Sequence, residues 1–257
     1  MNASQDDARP DRGVMLITGG SRGIGAATAL RAARDGWNVA IVYRDRDTEA
    51  SAVIEAVRGV GRQALAVRTD LRDPVQITAA FAAADALGPL TALINNAAVT
   101  GGVARVDALR TEALDDVLSI NVRAPFLCAA EAIRRMSTRC GGQGGAIVNV
   151  GSGASQLGTA GVWVHYAASK GALDTMTIGL SKEVAAEGIR VNGVRPGLID
   201  TEIHAARPPG QIERIAAEIP MGRIGTPQEI ASVIVWLADA QASSYVTGAL
   251  IDARGGR

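Results

Sequence analysis

Tyr166 and Lys170 stand four residues apart in YAASK, in a segment whose pattern predicts a helix from about Tyr166 to Glu187. At that spacing two helical side chains share a face and can meet. A phenol with an ordinary pKa of about 10 is a poor acid/base at neutral pH, but a nearby ammonium favours the phenolate and lowers that pKa. The pair can therefore move a proton near pH 7. Taken alone, a Tyr and a Lys so spaced more often mark a solvated helix face. Ser152 alters the weighing: it follows the apolar run GAIVNV (145–150), 14 residues before Tyr166, where a parallel sheet presents its ligand-binding edge. A hydroxyl there can hold a substrate oxygen while the tyrosine transfers its proton.

A second cluster lies near the start of the chain. Thr18-Gly19-Gly20-Ser21-Arg22-Gly23-Ile24-Gly25 joins the apolar run VMLIT to the helical pattern AATALRAARDG, which ends at Gly36. Glycines between a strand and a helix allow a tight turn and a close backbone approach to a pyrophosphate, whose charge the helix N-terminus stabilises. A plain turn is the alternative reading, but the position after the first strand favours the phosphate. The spacing is TGxxxGxG, not GxGxxG, and no Lys-Ser or Lys-Thr pair follows as in a P-loop.

These groups need a scaffold, and the hydrophobic pattern supplies one. Strands are expected at 14–18, 38–43, 64–67, 91–95, 145–150, 189–194 and 249–252, with helices at 47–58, 73–87, 111–136, 166–187 and 227–237 between them. Continuous apolar strands alternating with helices predict an α/β doubly wound, mostly parallel seven-stranded sheet covered on both faces. Residues 1–12 are polar and read as an unanchored tail, 13–257 as one domain, and Pro208-Pro209-Gly210 as a mobile loop.

Composition narrows the function classes. With 47% hydrophobic and 20% charged residues the chain is globular. Its 26 basic and 26 acidic residues cancel, so nucleic acid is not an expected partner. Cys128, Cys140, His165 and His204 form no zinc-ligand pattern, and no metal is expected. The acidic N-terminus and the lack of a long apolar run predict no membrane partner and a cytoplasmic protein. Cys128 is expected in the core, Cys140 on an inert loop, His204 on the surface and Trp236 packed on the sheet.

Taken together, the motifs resemble those of the short-chain dehydrogenase/reductase superfamily from residue 14 to 257. TGGSRGIG is similar to the cofactor loop, Asn95-Asn96-Ala97-Ala98 to the NNAG element, Ser152 to the catalytic serine, YAASK to YxxxK, and Arg195-Pro196-Gly197 to the PG element. Ala98 stands where glycine is usual, and the stretch from Ser152 to Tyr166 is one residue longer than in many members.

The resemblance implies a single-domain Rossmann fold and hydride transfer between a nicotinamide and a carbonyl or secondary-alcohol carbon of a small molecule. Tyr166 would be the acid/base, Ser152 would orient the oxygen, Lys170 would lower the tyrosine pKa and hold ribose, and Asn121 would hold a relay water. Implied cofactor contacts are Gly19, Ser21, Arg22, Gly23, Ile24, Gly25, Arg44, Asp70, Leu71, Asn95, Ala97, Tyr166, Lys170, Pro196, Gly197, Ile199 and Thr201, with Asp70 reading adenine. The resemblance further implies a homotetramer built on the helices at 111–136 and 166–187 and the last strand. The alternative is a non-catalytic dinucleotide sensor of the same fold, against which the complete set of Asn121, Ser152, Tyr166 and Lys170 argues.

An acid at the end of the second strand accepts from a ribose 2′-hydroxyl and repels a 2′-phosphate, whereas an arginine attracts the phosphate. Here the strand ends in Tyr43 and Arg44, with Arg22 in reach, so NADP(H) is expected; Asp45 leaves NAD(H) open. A solvated mixed-charge turn is the other reading of Arg44 to Asp47.

Overall fold

The computed structural model describes residues 11–202 and 210–257. Seven parallel strands form one sheet in the order β3-β2-β1-β4-β5-β6-β7. They are β1 Val14–Thr18, β2 Asn38–Tyr43, β3 Ala64–Arg68, β4 Leu90–Asn95, β5 Gly145–Val150, β6 Ile189–Pro196 and β7 Leu250–Ala253. The order reverses between β1 and β4, which opens a crevice at their C-terminal ends. This is the expected Rossmann-like architecture.

Alternation along β1 shows why the sheet is buried on both sides. Met15 and Ile17 face one core with Ile41, Ile94, Ile230 and Ile234. Val14 and Leu16 face the other with Phe81, Leu93, Ile147 and Leu173. Helices α1 (Gly23–Arg34), α2 (Asp47–Gly59) and α9 (Pro227–Ala238) supply residues to the first core. The second is covered by α3 (Pro74–Ala84), α5 (Ala124–Met136) and α7 (Val164–Val184). Asp73 caps α3 by accepting from Val75 N–H at 2.9 Å, ahead of Pro74 at the first helical position. No helix among the described residues is long and apolar enough to cross a membrane.

Several expectations need correction. The helix expected at 111–136 is α4 (Thr111–Leu118), a π-helical turn (Ser119–Arg123) and α5. Short helices α6 (Ala154–Leu157) and α8 (Gln211–Ala217) were not anticipated. Arg12 belongs to the fold, not to a tail: its N–H donates to Gly36 C=O, its guanidinium lies 4.8 Å over Trp37, and it pairs with Asp239 at 3.0 Å. Trp236 is 40% exposed, because the core face of α9 is set by Ile230, Ile234, Val235 and Leu237 and the tryptophan points outward. His204 and the Pro208-Pro209 pair fall outside the described residues.

Candidate active site

A cleft of about 830 Å³ runs across the C-terminal ends of β1, β2, β4, β5 and β6. The glycine loop forms one wall, with Gly19, Ser21, Arg22, Gly23 and Ile24 all lining it. Arg22, at the N-cap of α1, makes no side-chain cap bond, so among the described residues the first N–H groups of α1 have no side-chain partner and suit an anion. The loop can be this tight because of its glycines. Gly19 has φ +65°, and a Cβ there would sit 2.9 Å from Ala97 Cα; a Cβ on Gly25 would sit 2.2 Å from the Gly19 carbonyl oxygen. Gly25 itself does not line the cleft and serves by letting α1 close on the loop.

Thr18 and Asn96 fasten the crevice between β1 and β4. Thr18 Oγ1 accepts from Asn96 N–H at 3.0 Å and Ala97 N–H at 3.1 Å, and donates to Ile94 C=O at 3.3 Å. Asn96 Nδ2 donates to the Thr18 and Gly19 carbonyls at 2.9 and 3.0 Å. Asn96 and Ala97 line the cleft, whereas Asn95 does not. As the last residue of β4, Asn95 points into the sheet and donates to Asn149 Oδ1 at 2.9 Å; Asn149 donates on to Thr177 Oγ1. Of the two asparagines it is thus Asn96, not the expected Asn95, that faces the cleft.

At the centre of the cleft Ser152, Tyr166 and Lys170 converge. Ser152 follows β5, and its Oγ accepts from Ala154 N–H at 3.1 Å, which leaves the O–H to donate. Tyr166 and Lys170 occupy the first two turns of α7. Lys170 is 2% exposed; its Nζ donates to the Val150 carbonyl at 2.8 Å and lies 5.7 Å from the Tyr166 ring centroid. Burial pushes the Lys170 ammonium down to about 8, against the opposing charge of Asp174. Trp163 stands edge-on to Tyr166 at 5.9 Å.

Asn121 sits in the π-helical turn, 1% exposed, and does not line the cleft. Its side chain behaves like a piece of strand: Oδ1 accepts from Val99 N–H and Nδ2 donates to Val99 C=O, both at 2.9 Å. Nδ2 also donates to Ser169 Oγ at 3.0 Å, and Ser169 in turn donates to the Tyr166 carbonyl at 2.7 Å. Both amide hydrogens are thus spent on protein, so the side chain positions the wall beside Tyr166. The π turn supplies the extra residue that aims this side chain.

Leu71, Ile199 and Thr201 line the cleft, as do Pro196 and Gly197, as expected. Thr69 lines it as well; Asp70 does not, since its carboxylate turns to Arg72 at 2.7 Å. The bonds from Arg72 lower the Asp70 pKa and keep it a carboxylate. Tyr43, at the end of β2, donates its hydroxyl to Asp47 at 2.8 Å. Arg44 pairs with Asp45 at 2.5 Å, while Arg22 and Arg46 both reach Glu202. Sequence reasoning missed Glu202, Thr18 and Asn96, although the last two lie inside the motifs it used. Of the cysteines, Cys128 is buried with its thiol pushed up to about 12, and Cys140 is exposed.

Comparison with known proteins agrees with this geometry. The family described as "Enoyl-(Acyl carrier protein) reductase" matches residues 19–257. The chain is 50% identical over 246 residues to the uncharacterized oxidoreductase YgfF of Escherichia coli K12, covering 95% of this chain and 99% of that one. It is 37% identical to cis-4-hydroxycyclohexanecarboxylate dehydrogenase of Sinomonas cyclohexanicum, over 95% of each chain. Among solved structures, a short-chain dehydrogenase from Burkholderia cenocepacia in complex with NADP superposes with a TM-score of 0.89 at 32% identity, covering 96% of this chain and 98% of that one. A blue fluorescent protein from a metagenomic library, in complex with NADPH, gives 0.88 at 34% identity over the same shares. With its glycine loop, its serine, tyrosine and lysine on one cleft and these relatives along nearly its whole length, the chain belongs to the short-chain dehydrogenase/reductase family of CH–OH and C=O oxidoreductases.

Proposed function

We propose that the protein is an NADP(H)-dependent carbonyl reductase or secondary-alcohol dehydrogenase. The observation that carries the reading is the convergence of Ser152, Tyr166 and Lys170 on a cleft whose other wall is the glycine loop. The residues fit a dinucleotide: the cradle between Gly19 and Ala97 would be filled by a Cβ, and α1 leaves its N-terminal N–H groups open. Gly19, Ser21, Arg22, Gly23 and Ile24 would hold the pyrophosphate, Leu71 and Thr69 the adenine end, and Asn96, Ala97 and Lys170 the nicotinamide end. Pro196, Gly197, Ile199 and Thr201 would close over it. Bound there, the nicotinamide supplies or accepts the hydride.

The chain's own groups handle the proton. Ser152 O–H donates to the substrate oxygen, and Tyr166 O–H gives its proton to that oxygen during reduction or takes it back during oxidation. Lys170, charged beside the ring, favours the phenolate. Asn121 and Ser169 keep the first turn of α7 in place. Replacing Tyr166 by Phe should lower turnover at least about a hundredfold and leave cofactor affinity nearly intact, since general acid catalysis contributes about 10² to 10⁴. Retention of more than about a tenth of the rate contradicts the assignment.

The preference for NADP(H) rests on Tyr43 standing where a carboxylate would repel the 2′-phosphate and on the guanidinium groups of Arg22, Arg44 and Arg46 at that end. The NADP and NADPH complexes of two structural relatives support it. Catalytic efficiency with NADPH should exceed that with NADH at least about tenfold, equivalent to about 1.4 kcal/mol. Equal or better efficiency with NADH overturns the cofactor assignment, and a ratio unmoved by Arg44→Ala shows that Arg44 is not the reader. Phe126, Leu118 and Ile178 are exposed on α5, α4 and α7, the helices expected to build a homotetramer. A monomer mass in light scattering would refute that assembly.

A further inference from the structure

The substrate half of the cleft carries a charge that the reaction itself does not require. Beyond Ser152 and Tyr166 its wall is largely apolar, with Leu157, Val162, Trp163 and Leu198. Arg254 enters this wall from the residue after β7. Its stem is seated between two glycines: a Cβ on Gly153 would meet Arg254 Cδ at 2.6 Å, and one on Gly197 would meet Arg254 Cα at 2.9 Å. A Cβ at 153 would press on the Arg254 stem and one at 197 on its backbone, and Gly153 is the neighbour of Ser152.

The guanidinium is incompletely partnered. Its side chain is 15% exposed, Nη2 lies 3.1 Å from Asp252 Oδ2, and Nε is buried with no hydrogen-bond partner among the described residues. Arg257 lines the same end and pairs with Glu218 at 3.0 Å. Neither Asp252 nor Glu218 lines the cleft; among the described residues the acids that do are Asp45 and Glu202, which lie at the opposite end and are tied to Arg44, Arg22 and Arg46. The surface that a substrate meets beside Ser152 is therefore basic, and its electrostatic complement is an anion. A guanidinium with a fixed stem matches the planar pair of oxygens of a carboxylate.

We propose that Arg254 is a specificity-determining residue that holds the carboxylate of an oxo acid, or of the hydroxy acid in the reverse direction, while Ser152 and Tyr166 hold the reacting oxygen. This assignment rests on the reductase reading above and names the substrate class for the same site. The test is a comparison of 2-, 3- and 4-oxopentanoate with their methyl esters, each with NADPH and with NADH. The best acid should exceed its ester in kcat/KM about tenfold or more, the range of a charge-assisted hydrogen bond. In Arg254→Gln that ratio should fall to near one, chiefly through KM. A wild-type enzyme that reduces acid and ester equally overturns the proposal, as does a preference that survives in the variant. Should Arg254→Gln fail to fold, the wild-type ratio still decides. Turnover of esters and neutral ketones without preference for any acid removes the role of Arg254 alone; no turnover of any carbonyl with either nicotinamide removes the reductase reading together with it.

Discussion

The chain contains two lysines, Lys170 in the cleft and Lys182 on the exposed side of α7. That scarcity makes the electrostatics of the site directly measurable. Lys170 is enclosed, with the Val150 carbonyl at 2.8 Å and the carboxylate of Asp174, itself bound to Arg195 at 3.0 Å, as the opposing charge. Desolvation dominates and brings the ammonium from 10.5 to about 8. At pH 7 about nine in ten Lys170 side chains are then still charged and can act on Tyr166. Between pH 8 and 10.5 the unfolded chain binds a proton that the folded chain has released, so this group makes stability rise with pH across that window. It contributes nothing to the slope below it. The total is at most about 3 kcal/mol, at 1.36 kcal/mol per pKa unit. Protein labelled with 13C at lysine Cε should show a Lys170 signal that turns near pH 8 in a pH titration. Lys170→Met should abolish that signal and flatten the rise in the denaturation midpoint between pH 8 and 10.5. A Lys170 signal that turns only above pH 10 would refute the reasoning, because burial would then not govern this ammonium.

Two further perturbations test how the walls are built. Asn121→Ala removes the partners of Val99 N–H, Val99 C=O and Ser169 Oγ, and leaving these groups unpaired in the interior should cost about 3 kcal/mol in chemical denaturation; a loss under about 1 kcal/mol would show that the wall is held by something else. Gly25→Ala places a methyl group 2.2 Å from the Gly19 carbonyl oxygen, so the loop must open and cofactor affinity should drop at least about tenfold. Gly59→Ala, at the exposed end of α2 with nothing within 4 Å, is the control and should be neutral or slightly stabilising; similar affinity losses in both would separate the effect from the loop.

What could be read in the sequence, and what could not, divides along a physical line. The glycine loop was legible because its requirement is local: a strand, a turn too tight for a Cβ, and a helix N-terminus follow one another within a dozen residues. The Tyr166 and Lys170 pair was legible because helix periodicity alone brings the two together. Asn95 and Asn96 were confused because a strand sends successive side chains to opposite sides. Which of the two faces the cleft depends on where β4 stops pairing with β5, and the register shows that Asn95 still faces Asn149.

The orientation of Asp70 was hidden for a related reason. Its partner Arg72 is two residues away, but the ion pair exists only because the turn after β3 brings the guanidinium back over the carboxylate and on to Asp116. Arg254 is the extreme case. It stands about a hundred residues from Ser152 in sequence, and only the adjacency of β5, β6 and β7 carries it to Gly153. Glycine at 153 then has a reason that no local pattern contains: a side chain there would collide with an arginine from the other end of the chain. The residues that do chemistry on every substrate lie in short motifs, whereas the residue that selects a substrate can come from any strand ending at the same edge, so it becomes visible only once the sheet is assembled.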